Sequence, residues 1–461
     1  MPDGRSKALE FAHQNRELFL EELIALSAIP SISTDTEFKS DVERTAVWVS
    51  EKFSSIGLEN VRVFPTDGHP VVFAESPKVD GTPTVLIYGH YDVQPAEPLD
   101  KWESDPFQPQ VRGDHLYARG ATDMKGQVAA TIDAVEAIVR TGNLPINVKF
   151  LIEGEEEIGS PHLGNFIRDH KELLACDFAL NPDTGMVAPD LPTITYALRG
   201  LAYFEIRVFG PKHDLHSGVF GGAVHNPGQA ICELIAGMHD KNGHITLPGF
   251  YDSVRPLSDE ERAEIARLPK NEAWYLEHTG APALWGEEKF SPDERVGGRP
   301  TLEVNGLFSG FIGEGSKTVL PAYAMAKISC RLVPDQHPDQ VYEQLIQYMS
   351  ENAPDSIRWE IIQMVGSPPS LSDRNSPWTQ AYFQAAETVW GVKPAFKREG
   401  GSVPVVTDFQ QTLGVDVVNM GFGLPTDNMH GPNEKLDLPT WYRGIDALIH
   451  FFFNVAENHD R

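Results

Sequence analysis

The sequence predicts an α/β protein, a mixed-sheet α/β domain interrupted by a smaller α+β domain, and three observations carry that expectation. Short apolar runs alternate with helical stripes over residues 85–152, strictly alternating strands replace them between 203 and 361, and the first style returns after Gly366-Ser367-Pro368-Pro369. At 461 residues the chain also exceeds what a single core holds. The expected division is 1–200 and 371–461 as one domain, with 201–370 inserted into it.

Taken in order, residues from Ser6 to about Ser27 read as one helix with Leu9, Leu20, Leu23 and Ile24 among its apolar positions, ended by Pro30. Val85-Leu86-Ile87-Tyr88 is a continuous apolar run suited to a strand covered on both faces. Gly126 to Arg140 places Val128, Ile132, Val135 and Val139 on one stripe, with Gly142 as the expected C-cap. Val148 to Ile152 is the next strand. Strand, helix, strand order of this kind puts active groups at strand ends.

From Tyr203 to Phe209 the pattern alternates, Phe204, Ile206 and Val208 opposing Glu205 and Arg207, as in a sheet with one solvated face. A helix is expected after Asn226-Pro227, with Ile231, Leu234, Ile235 and Met238 on one side. Alternating strands recur at Ala326 to Leu332 and Ile357 to Ile361, with a helix around Val341 to Met349 between them. Asp240 to Pro300 is rich in Pro, Gly and charge and has no assignable periodicity. The chain carries no internal repeat and no low-complexity tract.

Composition narrows the partners. The formal charge is 38 − 66 = −28, so nucleic acid and anionic lipid headgroups are repelled and small solutes or metal cations are favoured. The 3 cysteines are few and far apart, which argues for a reducing compartment, the cytoplasm by default. Asp3, Arg5, Lys7 and Glu10 interrupt any apolar stretch at the N-terminus, so no secretion signal is expected. No run approaches the roughly 18 apolar residues of a membrane helix.

The chemistry sits in short segments. His90 and Asp92 follow a strand, where the imidazole suits a metal ligand and the carboxylate suits a partner that fixes a ligand's orientation. A loop histidine beside a turn aspartate is the plainer reading. Asp123 stands between Arg119-Gly120 and a helix start, placed to bridge two metals or, more commonly for such an aspartate, to cap the helix. Glu155-Glu156-Glu157 adjoin a strand, where three carboxylates repel one another unless cations or protons intervene. A site would use one as a ligand and another as a proton carrier; otherwise the run is a solvated surface. Asp183 and His430 are weak signals in isolation.

In order and local sequence these segments resemble the dinuclear metallopeptidase family of aminoacylases, bacterial desuccinylases and carnosine-type dipeptidases, over nearly the whole chain. The likeness is strongest to the cytosolic nonspecific dipeptidases, through Gly89-His90-Tyr91-Asp92-Val93-Gln94-Pro95, Asp214-Leu215-His216-Ser217-Gly218-Val219, Arg331-Leu332-Val333-Pro334 and Arg398-Glu399-Gly400-Gly401-Ser402. It implies a phosphorylase/hydrolase-like catalytic domain, with the insertion serving as lid and dimerisation domain. It implies that His90 and Asp183 bind one metal, Glu157 and His430 the other, and that Asp123 bridges. Glu156 matches the general base, Asp92 the orienting carboxylate, and Glu155 an ordinary neighbour. In the insertion His216 matches an oxyanion-stabilising histidine that acts on the partner chain, and Arg331 a grip on the substrate carboxylate. Thr318 and Ser402 match polar substrate contacts. The chain departs from the animal dipeptidases at Met364-Val365-Gly366, where those have a histidine.

The expected activity is dipeptide hydrolysis with two divalent ions per chain, zinc first, with manganese or cobalt compatible with the oxygen-rich donor set. An N-acyl amino acid deacylase with the same centre is the nearest alternative, because both cleave an amide. A non-catalytic metal- or peptide-binding protein is the alternative of a different class, and Glu156 argues against it, since binding alone needs no free base.

Overall fold

A computed structural model describes residues 4–401 and 403–459, so Ser402 lies outside the described residues. The chain forms two compact units, one of Met1–Tyr196, Ser372–Lys397 and Pro404–Arg461, the other of Ala197–Leu371 and Arg398–Val403.

The first unit is organised on a mixed sheet. Its strands run in the order Glu59–Phe64, Val71–Glu75, Asn147–Glu153, Thr84–His90, Phe178–Asn181, Asp416–Asn419 and Thr193–Leu198, with Ala395–Glu399 beside the last. Thr84–His90 pairs in parallel with both Asn147–Glu153 and Phe178–Asn181, while Val71–Glu75 joins Asn147–Glu153 antiparallel. Val85 to His90 are all buried, which explains the unbroken apolar run: both faces of the strand are covered. The helix Gly126–Thr141 is buried from Gly126 to Ile138, and Leu438–His459 packs on it, the Trp441 indole donating to the Gly126 carbonyl at 2.8 Å. Among the described residues no helix is long and apolar enough to cross a membrane.

Two local expectations change. The first helix is two, Gly4–Gln14 and Arg16–Ser27, because Asn15 leaves helical geometry at φ −108°, ψ 16° and its side-chain amide donates to the Phe11 carbonyl at 2.8 Å. Gly142 does end its helix, its N–H bonded to the Ile138 carbonyl, but in an extended conformation at φ 177° rather than a left-handed turn.

The second unit is an antiparallel sheet in the order Thr301–Ser309, Tyr323–Leu332, Gly200–Phe209, Arg358–Ser367. Alternation divides its faces. Ala202, Phe204, Ile206 and Val208, with Ala324, Ala326, Ile328, Cys330 and Leu332, are buried in a core shared with Ile231, Leu234, Val341 and Leu345. Those last four belong to the helices Pro227–Gly237 and Pro338–Asn352. Asn226 caps the first by accepting the Gly228 N–H, with proline in the opening turn. The last strand outruns its expected end at Ile361, continuing along Gly200–Phe209 past a register shift between Gln363 and Val365.

The stretch without assignable periodicity holds three short helices, Asp259–Ile265, Glu272–Thr279 and Pro292–Gly298. Two begin on reciprocal caps, Ser258 with Glu261 and Ser291 with Glu294.

Candidate metal centre and active site

Three neighbouring parallel strands of the first unit end on the same side, and the chemistry leaves from those ends. His90 is the last residue of Thr84–His90, Glu156 and Glu157 follow Asn147–Glu153, and Asp183 follows Phe178–Asn181. Two loops bring Asp123 and His430 to the same place. His430 adopts a left-handed backbone, φ 60°, beside Asn428 and Asn433 at φ 55° and 58°. Asp123 does not cap the following helix. Its backbone is extended, at φ −123° and ψ 98°, and its carboxylate is divided between two histidines.

Asp123 Oδ1 lies 3.2 Å from His90 Nε2, and Oδ2 lies 2.8 Å from His430 Nε2. Asp183 Oδ1 is 3.9 Å from His90 Nε2, and Glu157 Oε2 is 3.4 Å from His430 Nε2. Two sets of possible ligand atoms result, His90 with Asp123 and Asp183, and Asp123 with Glu157 and His430, each gathered within 4.8 Å. Asp123 is common to both, the arrangement a shared carboxylate needs.

Asp92 sits behind this cluster, fully buried. Its carboxylate accepts the main-chain N–H groups of Glu156 at 3.2 Å and Glu157 at 3.1 Å, and its carbonyl is 3.0 Å from His90 Nδ1. It therefore orients the imidazole and the paired glutamates together. Glu155 turns away, accepting the His69 N–H and contacting His162 Nδ1 at 2.9 Å.

The crowded groups of the cluster shift one another's protonation. Burial, with Asp183, Glu157 and Asp123 nearby, raises Glu156 to about 9, and burial raises Asp183 to about 7. Hydrogen bonds to Asp123 and Glu157 raise His430 to about 10. For Asp123, burial pushes the pKa up but the hydrogen bonds to His430 and His90 win and hold it below the carboxylate range. Carboxylates crowded this closely call for positive charge among them, and imidazole with carboxylate is a donor set that divalent metal ions accept.

His216, Thr318 and Arg331 lie in the second unit, and Ser402 is outside the described residues. His216 and Thr318 are brought together: His216 pairs with Val319, and the Ser217 N–H reaches the Thr318 carbonyl at 3.1 Å. His216 Nδ1 accepts the Gly218 N–H at 3.0 Å, so the neutral ring carries its proton on Nε2. Arg331 stands between Thr301 and Leu201 on the solvated face and, with Arg199, Glu303 and Ser329, lines a cavity of about 470 Å³. Burial lowers the pKa of its guanidinium, and that of Arg199 beside it falls to about 10.

Several residues that shape the centre carried no separate expectation. Gln94 donates to Glu157 Oε2 at 2.7 Å, Lys125 donates to the carbonyls of Leu26 and Ile29, and Glu434 accepts the Asp123 N–H. Gln94 and Lys125 are close in sequence to His90 and Asp123, which is the one signal that marks them; Glu434 has only its place four residues after His430.

Residues 86–454 match peptidase family M20/M25/M40, and the chain belongs to that family of metallohydrolases. It is 33% identical to the Cys-Gly metallodipeptidase dug1 of Schizosaccharomyces pombe, over 98% of each chain. It is 30% identical to human Beta-Ala-His dipeptidase, over 98% of this chain and 93% of that one. Among solved structures, the M20 family metallo-carboxypeptidase Sso-CP2 of Sulfolobus solfataricus superposes with a TM-score of 0.85 at 33% identity, covering 95% of this chain and 99% of that one.

Proposed function

We propose that the chain hydrolyses the peptide bond of dipeptides with a free C-terminal carboxylate, using two divalent ions per chain, zinc first and manganese or cobalt as alternatives. The observation that carries the reading is the division of the Asp123 carboxylate between His90 and His430, each of which has a further carboxylate at hand. His90 and Asp183 would hold one ion, Glu157 and His430 the other, with Asp123 between them. When bound, such ions supply a water of lowered pKa and polarise the scissile carbonyl.

Glu156 takes the proton of the attacking water and returns it to the departing amine, acting first as base and then as acid. A divalent cation beside Glu156 would favour its ionised carboxylate, the form that accepts a proton. Asp92 holds the main chain of Glu156 and the ring of His90 while this happens. His216, with Nε2–H free to donate, stabilises the developing oxyanion, and Arg331 grips the C-terminal carboxylate through its planar fork. Thr318 and Ser402 would add polar contacts to the substrate.

A homodimer through the second unit, with His216 serving the partner's site, is part of this proposal. Its support is the sheet's two edge strands, Thr301–Ser309 and Arg358–Ser367, which carry exposed Val304, Leu307, Ile362, Met364 and Val365. Mixing equal amounts of Glu156→Gln and His216→Ala chains tests it, because random reassembly makes half the dimers mixed with one intact site each, so the mixture would recover about one quarter of wild-type activity, and a site built within one chain would recover none. The free cysteines Cys176, Cys232 and Cys330 fit a cytoplasmic setting.

The deciding experiment is a side-by-side panel of dipeptides, tripeptides, N-acetyl and N-succinyl amino acids, run before and after chelation and metal return. Dipeptides turned over fastest, only with metal, is the expected result. Preference for acylated amino acids would make the chain a deacylase; full activity after verified metal removal would end the mechanism.

A further inference from the structure

Arg119 and Glu434 are 1% and 0% exposed and belong to no set expected to touch metal or substrate. Glu434 Oε1 accepts the main-chain N–H groups of Thr122 at 3.0 Å and Asp123 at 3.1 Å. Its Oε2 accepts the Gly120 N–H at 2.9 Å and Arg119 Nη1 at 2.7 Å. From the other side of the guanidinium, Nη2 donates to the carbonyls of Pro95 at 3.1 Å and His430 at 3.2 Å, and the group lies 5.4 Å over the Trp102 ring. One ion pair therefore touches the loop of Asp123, the loop of His430 and the segment that follows His90 and Asp92.

Burying two charges is costly, and an apolar pair of similar volume would fill the same space with less desolvation. What an apolar pair would lack is direction. The N–H groups of residues 120, 122 and 123 converge on one carboxylate because the chain turns tightly there, Gly120 having φ 79° and a position where an added Cβ would meet Val93 Cγ1 at 2.4 Å. The same pair then ties that turn to His430 through its main-chain carbonyl, on a loop with three left-handed residues at 428, 430 and 433.

We propose that the Arg119–Glu434 pair is a positioning device that sets the separation of the two metal positions, by holding the main chains of Asp123 and His430 in one frame. The proposal rests on the dinuclear reading above. It distinguishes the pair from any single ligand: losing a terminal ligand such as Asp183 weakens one position, whereas losing Glu434 frees the bridging loop and weakens both.

The test is calorimetric titration of metal-stripped protein with Zn²⁺, alongside kcat, KM and the thermal midpoint. Glu434→Gln keeps the side-chain shape but offers one acceptor oxygen where two worked, so both Zn²⁺ affinities should fall about 10- to 100-fold. Turnover should fall with them while KM stays within about twofold, as for an interaction that substrate binding does not use. Arg119→Lys keeps a charge against Glu434 but loses the planar fork to Pro95 and His430. It should weaken chiefly the His430 position, so that the two binding steps separate.

Folded variants that bind two Zn²⁺ as tightly as wild type would overturn the proposal, even with a lower midpoint, since a purely structural pair moves the midpoint alone. If Glu434→Gln does not fold, Arg119→Lys decides by the same criterion. A wild-type chain that takes up fewer than two ions fails the dinuclear reading itself and takes this proposal with it.

Discussion

Two clusters of acidic groups meet along the same stretch of the first unit, and they solve the same electrostatic problem differently. At the start of the helix Gly126–Thr141, Asp123 is gathered with Glu157, Asp183, His90 and His430; further along, Asp133 and Glu136 of that helix meet Glu22. Both clusters bring potential ligand atoms within 4.8 Å. The second contains its own cation: Lys52 Nζ lies 2.6 Å from Glu22 and 2.6 Å from Glu136, and Arg140 approaches the other oxygen of Glu136 at 3.1 Å. The first does not. Among the described residues no lysine or arginine pairs with Asp123, Glu157 or Asp183, whose cationic neighbours are histidines. Carboxylates alone do not mark a functional site; carboxylates compensated only by groups that also ligate metals are the pattern on which the proposed function rests.

The largest expected effects come from breaking the first cluster. Asp123→Ala should abolish metal uptake and activity together, because both ligand sets lose a member. A variant still holding two ions per chain, counted by elemental analysis, would contradict the shared carboxylate. Next, Glu156→Gln should keep near-normal metal content while turnover falls by about 10²- to 10⁴-fold, the range of general acid–base assistance. Activity within tenfold of wild type would remove Glu156 from the role of base.

Substituting Lys52 probes the second cluster, and the expected loss there is in stability, not chemistry. Lys52→Met leaves Glu22 and Glu136 without their ammonium, and breaking a buried pair in this way costs about 3–5 kcal/mol. The hydrogen bonds to Glu136 and Glu22 outweigh burial and raise the folded Lys52 pKa above 10.5. Its stabilisation is therefore complete below 10.5 and is lost as pH rises through the higher folded value. Denaturant titrations should show the gap between wild type and variant closing on the alkaline side. A gap that instead widens there, or a folded variant with altered kcat, would tie this cluster to the reaction.

What was legible in the sequence follows the range of the interactions. Val85 to Tyr88, Gly126 to Arg140 and the alternating strands announce themselves because neighbours in sequence share one environment. The segments with His90 and Glu157 could be singled out because an α/β sheet delivers strand ends to one edge, whereas Asp183 by itself is a weak signal. Asn15 was hidden, since one side-chain bond to Phe11 breaks a helix whose apolar spacing continues through it. The helices between residues 259 and 298 were hidden for the opposite reason: they are short and held by caps, so periodicity fails while Ser258 with Glu261 and Ser291 with Glu294 remain readable. Arg119 with Glu434 and Lys52 with Glu136 are separated by 315 and 84 residues, and no local pattern records such pairings.

The smallest expected effect compares two buried aspartates of one region. Asp123 is held ionised by histidines, whereas Asp133, 2% exposed, has its carboxyl pushed well above 3.8 by burial, with Glu22 and Glu136 adding to the rise against Lys52. Asp133 therefore keeps its proton in the folded chain to a higher pH than in the unfolded chain, and near pH 4 Asp133→Asn replaces one neutral group with another of the same shape. Near pH 4 the cost should be within about 1 kcal/mol, and kcat should not change. The pH dependence gives the sign. Above 3.8 the unfolded wild-type chain releases a proton that the folded chain keeps, so wild-type stability falls with rising pH, by up to about 1.4 kcal/mol per unit, until the folded value is reached. The asparagine variant has no such proton to lose. Its stability relative to wild type should therefore rise between pH 4 and neutrality, the reverse of what an ionised, ion-paired aspartate shows. A relative stability that falls over that range would mean that Asp133 is charged in the folded chain, and the contrast between the two clusters would then have to rest on Lys52 alone.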